Sequence, residues 1–177
     1  MTKSQTSARL GIVNKPGPEE LESLRLLCNR VLDPVRRNFG VPFSPSSGFR
    51  SPELNKAIGG SQYSQHLEGK AADIEIPGVN NLTLAVWIRD NIEFDQLILE
   101  NYEPTEPGSG WIHVSYNQGE NRMESLSYVD GEYHRGIGGS GIDHVRSPAR
   151  SGRDTLNRLT FSVLNFLRDI VSLRRRQ

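Results

Sequence analysis

The spacing of apolar positions changes several times along this chain, and each change marks an element. From Pro18 to about Phe39, Leu21, Leu24, Leu27, Val31, Leu32 and Val35 recur at helical steps and predict one long helix. Pro18 and the acidic pair Glu19-Glu20 suit its first turn, while Pro34 predicts a kink because it lacks the N–H the ladder needs. A short helix is expected near Glu53–Ile58, and Leu82, Ala85, Val86 and Ile88 predict a second main helix over residues 81–91. Alternation of period two predicts strands at about 73–76, 94–100, 111–116 and 122–128, the last three forming a meander. Two or three helices on a small antiparallel sheet make an α+β domain.

Outside that block the pattern weakens. Residues 1–17 are polar and are expected to be loose. Past Asp130 the chain turns rich in Gly and Arg, so residues 18–130 read as the domain and 131–153 as a linker. Gly136 to Gly141 fits G-x-G-x-x-G, yet no suitable strand and helix flank it, and it reads as part of that linker. From Asp154 to Leu173, Leu156, Leu159, Val163, Leu167 and Ile170 form an apolar stripe, followed by Arg174-Arg175-Arg176. Residues 154–177 therefore read as a basic amphipathic helix that packs on the domain or on a second copy. The alternative is a helix lying on an anionic membrane surface. Cations at a helix C-terminus also complement its dipole without any further role.

Composition narrows the function. The 177 residues suit one domain with an appendage, and 21 Lys and Arg balance 21 Asp and Glu, so nothing points to nucleic acid. The single cysteine, Cys28, lies on the first long helix; it cannot form an intrachain disulfide and is expected to pack in the core. No N-terminal apolar segment resembles a signal peptide, and no run approaches the roughly 18 apolar residues of a membrane span.

The chemistry concentrates in Ser64-Gln-His-Leu-Glu-Gly-Lys-Ala-Ala-Asp73 and in Trp111-Ile-His113-Val. His66 and Asp73 stand seven residues apart around Gly69, and His113 sits mid-strand on the same face as Trp111 and Ser115. Two imidazoles and one carboxylate match a catalytic zinc site, where three protein ligands leave a coordination position open. Zinc lowers the pKa of water at such a site to roughly 7. Taken alone, each of these residues also fits an ordinary structural or exposed role.

The larger pattern of Ser46-Ser47-Gly48-Phe49-Arg50-Ser51, Asn55, Gly59-Gly60, S-x-H-x-x-G-x-A-x-D and Trp111-x-His113 resembles the zinc D-alanyl-D-alanine peptidase family. The resemblance covers roughly residues 18–128 and is strongest to compact members from phages and bacteria. It implies that His66, Asp73 and His113 bind Zn2+ and that Arg50 holds a substrate carboxylate or carbonyl. Many members carry an acidic general base three positions before the last histidine, and here that position is Gly110. Glu100, closing the run Phe94–Glu100, is the replacement candidate; Glu68, Glu103 and Glu106 are weaker ones.

The resulting expectation is a zinc metallopeptidase acting on peptidoglycan peptide, with Glu100 as base and Arg50 beside it in catalysis, with Arg50, Ser64 and Trp111 in the substrate site, and with Ser64 also bracing the metal loop by hydrogen bonding. A D-Ala-D-Ala carboxypeptidase and an endolysin-type endopeptidase both fit. An endolysin would remain cytoplasmic until released to the wall. The rival expectation is a non-catalytic zinc-containing module that only binds wall or virion. His134 and His144 are expected to be ordinary surface residues.

Overall fold

The computed structural model describes residues 1–137. The basic helix over 154–177, His144 and most of the G-x-G-x-x-G segment lie outside the described residues. Among the described residues no helix is long and apolar enough to cross a membrane.

The helices form where the apolar spacing places them. Helix α1 spans Gln5–Leu10 and α2 spans Pro18–Leu27. At the start of α2 the Gly17 N–H donates to Glu20 Oε2 at 2.8 Å, while Pro18 fills the first-turn position where no N–H is needed. The kink expected at Pro34 takes the form of a π-helical turn, Cys28–Leu32, leading into α3, Asp33–Phe39. The Asp33 N–H reaches back five residues to the Cys28 carbonyl. Such a wider turn absorbs the donor that proline removes from the ladder. Leu24, Leu27, Val31, Leu32 and Val35 stay on one buried face throughout. Helix α4, Pro52–Ala57, is capped by the Ser51 hydroxyl, and α5, Asn81–Asn91, by the Asn80 side chain.

Five strands make one sheet: β1 Ala71–Ile74, β2 Gln96–Glu100, β3 Trp111–Ser115, β4 Glu124–Val129 and β5 Glu132–Arg135, in the order β1-β3-β2-β4-β5. The α+β class holds, but the meander does not. β3 is flanked by β1 on one edge and β2 on the other, so β4 has no edge of β3 to join. It passes the start of β2 and pairs with that strand's free edge in parallel, which makes the sheet mixed.

The two faces of the sheet differ in kind. Ala72, Ile74, Leu97, Leu99, Ile112 and Val114 point to one face and form the core with α2, α3 and α5. In register on the opposite face stand Asp73, His113, Ile98, Leu126 and Arg135, and beside them Trp111, Glu100, Tyr128 and Tyr133. The chemistry lies on this second face.

Both ends of the domain differ from expectation. Residues 1–17 are tied down: Phe49 N donates to the Met1 carbonyl at 3.0 Å, and Asn14 donates to the carbonyls of Thr2 and Phe49 and accepts from Ser51 N. Met1 packs on the core beside Cys28, the half-buried thiol meeting its sulfur at 3.3 Å. Backbone bonding to an edge loop fixes a segment whose composition suggested none. At the other end the sheet continues beyond Asp130. Asp130 and Gly131 both adopt positive φ, as a two-residue hairpin turn requires, and β5 follows. Gly136 donates to the Ser125 carbonyl, and Ile137 is buried in the core, so the first part of the segment read as a linker belongs to the fold.

Candidate metal centre

Three segments deliver the ligands. Asp73 and His113 are cross-strand partners on β1 and β3, so the ladder sets their separation. His66 comes from a single 3₁₀ turn, Gln65–Glu68, that ends at Gly69. Gly69 has φ +66°, and a β-carbon there would lie 2.5 Å from the Glu20 carbonyl oxygen of α2. Position 69 thus needs both a left-handed backbone and the absence of a side chain.

The donor atoms converge. His66 Nε2 lies 3.2 Å from Asp73 Oδ1 and 3.2 Å from His113 Nδ1, and His113 Nδ1 lies 3.1 Å from Asp73 Oδ1. The three residues are buried, with exposures of 1, 7 and 8% for His66, Asp73 and His113. His66 Nδ1 sits 2.6 Å from the Gly48 carbonyl. A carbonyl only accepts, so Nδ1 carries the proton and Nε2 keeps its lone pair for a ligand. Acceptor atoms meeting at one point repel unless a cation or a proton lies among them. Bonds of about 2.0–2.1 Å to a tetrahedral zinc would set ligand atoms about 3.3 Å apart, close to the separations seen. The donor set fits zinc.

Arg50 supports the carboxylate. Its Nη2 lies 2.5 Å from Asp73 Oδ2, its Nε donates to Ser47 Oγ at 2.9 Å, and its backbone N–H donates to the His66 carbonyl at 3.1 Å. Two of the three guanidinium nitrogens are therefore committed within the protein. The Ser46–Arg50 loop also docks on the free edge of β1, with Asp73 N donating to Ser47 O at 3.0 Å and Ser46 N to Asp73 O at 2.9 Å. Burial pushes the Asp73 carboxyl up, but the adjoining His113 and His66 imidazoles outweigh it and hold the group well below the usual carboxylate range.

Glu100 closes β2 directly opposite Trp111, next to His113 on the same face. It is half-buried, and desolvation, with the Asp73 charge adding, raises its carboxyl above the ordinary glutamate value. The opposing effects of His113, Arg50 and a hydrogen bond with the Trp111 side chain do not cancel that rise. The competing glutamates stand elsewhere: Glu68 is exposed and paired with Lys70, while Glu103 and Glu106 lie exposed in the loop after β2. Gly110 has φ +66°, and a β-carbon there would overlap the Glu100 carbonyl oxygen. With this backbone at position 110 there is no room for an acidic side chain.

His134 stands at the surface as expected, whereas the Ser64 side chain does not brace the metal loop. The Ser64 hydroxyl makes no capping bond to the metal loop; its backbone carbonyl accepts from Leu67 N at 3.0 Å instead. His134 is exposed and, through its register with Ser127, lies on the face opposite His113. The sequence reading passed over Gln65, whose Nε2 donates to Asp95 Oδ2 at 2.8 Å, and Asp95 itself, bound by Arg122 through three nitrogens. The pattern of acidic and basic residues gave no sign of that pairing, because 27 positions separate Asp95 from Arg122.

The buried His66, Asp73 and His113, flanked by a half-buried glutamate and an arginine, could hold a metal ion and have the donor set of a metallopeptidase centre. Residues 1–115 match the family described as Peptidase M15, and the chain belongs to that family. No curated protein matches the chain.

Proposed function

We propose that the protein is a zinc peptidase that hydrolyses peptide bonds in peptidoglycan stem peptides, with Glu100 as its general base. The observation that carries this reading is the placement of the half-buried Glu100 carboxylate, its pKa raised, beside His113 on the sheet face that bears the triad. His66, Asp73 and His113 would hold the zinc, which when bound supplies Lewis acidity toward a carbonyl and toward water.

The chain's own residues do the rest. Glu100 takes a proton from the attacking water and returns it to the leaving amine, a task suited to a carboxyl whose pKa has moved toward neutrality. Arg50 holds the Asp73 carboxylate in place, and its remaining guanidinium nitrogen is offered to a substrate carbonyl or carboxylate. Trp111 holds the Glu100 carboxylate and forms one side of the substrate face. An endolysin-type action on the wall after release is part of the proposal. It draws on the resemblance to compact phage-type members.

Digestion of purified peptidoglycan by the zinc-loaded protein, read by mass spectrometry, tests the reading. Defined fragments that disappear with chelator and with Glu100→Gln would name the bond cut. An intact wall under stoichiometric zinc would replace the peptidase with a wall-binding module.

A further inference from the structure

Two of the three triad ligands ride on paired strands, and the ladder spaces them. His66 is the exception. It stands on one turn of 3₁₀ helix, a conformation with poor hydrogen-bond geometry, between Ser64 and Gly69. The Gly48 carbonyl orients its ring, and the Arg50 N–H ties its carbonyl to the loop on the edge of β1, which leaves open what ties the turn to the β2–β3 side of the sheet.

Gln65, the residue before His66, reaches Asp95 through its side-chain amide, Nε2 to Oδ2 at 2.8 Å. Asp95 lies just before β2 and is 3% exposed. Its backbone N–H donates to Ser115 O at the end of β3 at 2.8 Å, and its carbonyl accepts from Glu124 N at the start of β4 at 3.0 Å. Its carboxylate accepts from Arg122 N at 3.1 Å, from Nε at 3.0 and 3.1 Å and from Nη2 at 2.6 Å. Asp95 is therefore fixed by three strands' worth of backbone and by one arginine, independently of Gln65. β3, whose end is tied to Asp95, is also the strand that carries His113.

The orientation of the amide follows from chemistry. A carboxylate only accepts, so the NH₂ of Gln65 must face Asp95. Gln65 Oε1 is then buried and, among the described residues, has no hydrogen-bond partner. A buried carbonyl left unpaired is a cost that a leucine at this position would avoid. Glutamine makes physical sense here when its NH₂ does something a leucine cannot.

We infer that Asp95, acting through Gln65, is a positioning residue for the metal centre: it ties the His66 turn to the strand junction that holds His113, so that His66 Nε2 stays at the point where Asp73 Oδ1 and His113 Nδ1 converge. This inference rests on the metal-centre reading above. Its signature is a loss of metal affinity without a loss of fold, because Asp95 keeps Arg122 when Gln65 is changed.

The test uses the full chain, stripped of metal and titrated with zinc against a chromogenic chelator, with metal-free thermal unfolding measured in parallel. Gln65→Leu keeps the side-chain bulk and removes both polar atoms; Gln65→Lys restores a donor that can reach Asp95. Gln65→Leu is expected to unfold at the wild-type temperature yet bind zinc about tenfold more weakly, and Gln65→Lys to recover most of that loss. Wild-type zinc affinity in Gln65→Leu would overturn the inference, and so would a lysine variant as weak as the leucine one. A lowered metal-free unfolding temperature for Gln65→Leu would show a general prop of the fold and overturn it as well. A wild-type protein that takes up no zinc would instead sink the metal-centre reading itself, before any variant is compared.

Discussion

Gly110 packs so closely on Glu100 that a β-carbon at position 110 would overlap the Glu100 carbonyl oxygen. The residue that displaces a side chain from 110 is thus the residue proposed as base. Asn81 reinforces the turn, its Nδ2 donating to the carbonyls of Ser109 and Gly110 at 3.0 and 3.1 Å. Gly110→Ala should destabilise the fold by about 2 kcal/mol or more, from the positive φ and the overlap together. Gly110→Glu should do the same and add no activity. Equilibrium unfolding checks both, and a neutral Gly110→Ala would show that the turn relaxes freely.

Glu100, as the proposed base, is expected to set the acid side of activity. A general base works only when ionised, and the raised carboxyl pKa means ionisation is lost at a higher pH than for an ordinary glutamate near 4.3. The acid limb of kcat/KM is therefore expected above that value. Glu100→Gln should lower kcat by about 10²- to 10⁴-fold while zinc stoichiometry stays at one. A pH profile whose acid limb lies at or below 4.3 would remove Glu100 from the role.

Arg50 and Lys are not equivalent at position 50. The guanidinium spans Asp73 Oδ2 and Ser47 Oγ at once, whereas an ammonium is a single point of charge. Arg50→Lys is expected to weaken zinc binding about tenfold and to lower kcat/KM further, with Ser47→Ala showing a smaller effect in the same direction. Chelator competition measures the first and steady-state kinetics the second. Equal zinc affinity in Arg50→Lys would mean that Asp73 needs no such support.

Asp95 makes stability pH-dependent. Burial acts to raise its carboxyl, but bonds from Arg122 and Gln65 outweigh that and hold the folded-state pKa below the unfolded value near 3.9. A depressed carboxylate contributes stability that is present above the unfolded pKa and fades as pH falls toward the folded one. Asp95→Asn should therefore cost about 2 kcal/mol at pH 7 and progressively less as the pH falls below about 4. Urea unfolding at several pH values checks the convergence; a constant gap would assign the cost to packing.

Parts of the fold were legible because local physics decides them. The apolar stripe over Leu24 to Val35 and the first-turn Pro18 depend on neighbours a few residues apart, and the helices over 18–39 and 81–91 stand where the spacing puts them. β5 was equally legible and was missed: Tyr-Val-Asp-Gly-Glu-Tyr carries the Asp-Gly signal of a two-residue hairpin, overshadowed by the glycines that follow. The N-terminal segment was not legible, since its order comes from bonds to Phe49 and Ser51.

The sequence by itself determined the inventory of the site: two histidines, an aspartate, an arginine and a spare glutamate, in a motif whose glycines allow the turns it needs. Only the tertiary structure decided how they are used. The parallel pairing of β4 follows from β3 having both edges filled, a competition between strands that no single strand encodes. The convergence of three donor atoms, the attachment of Arg50 to Asp73 and the link from Gln65 to Asp95 join segments between 7 and 47 residues apart. Periodicity reports neighbours along the chain, whereas these contacts exist only once the sheet has brought distant segments together.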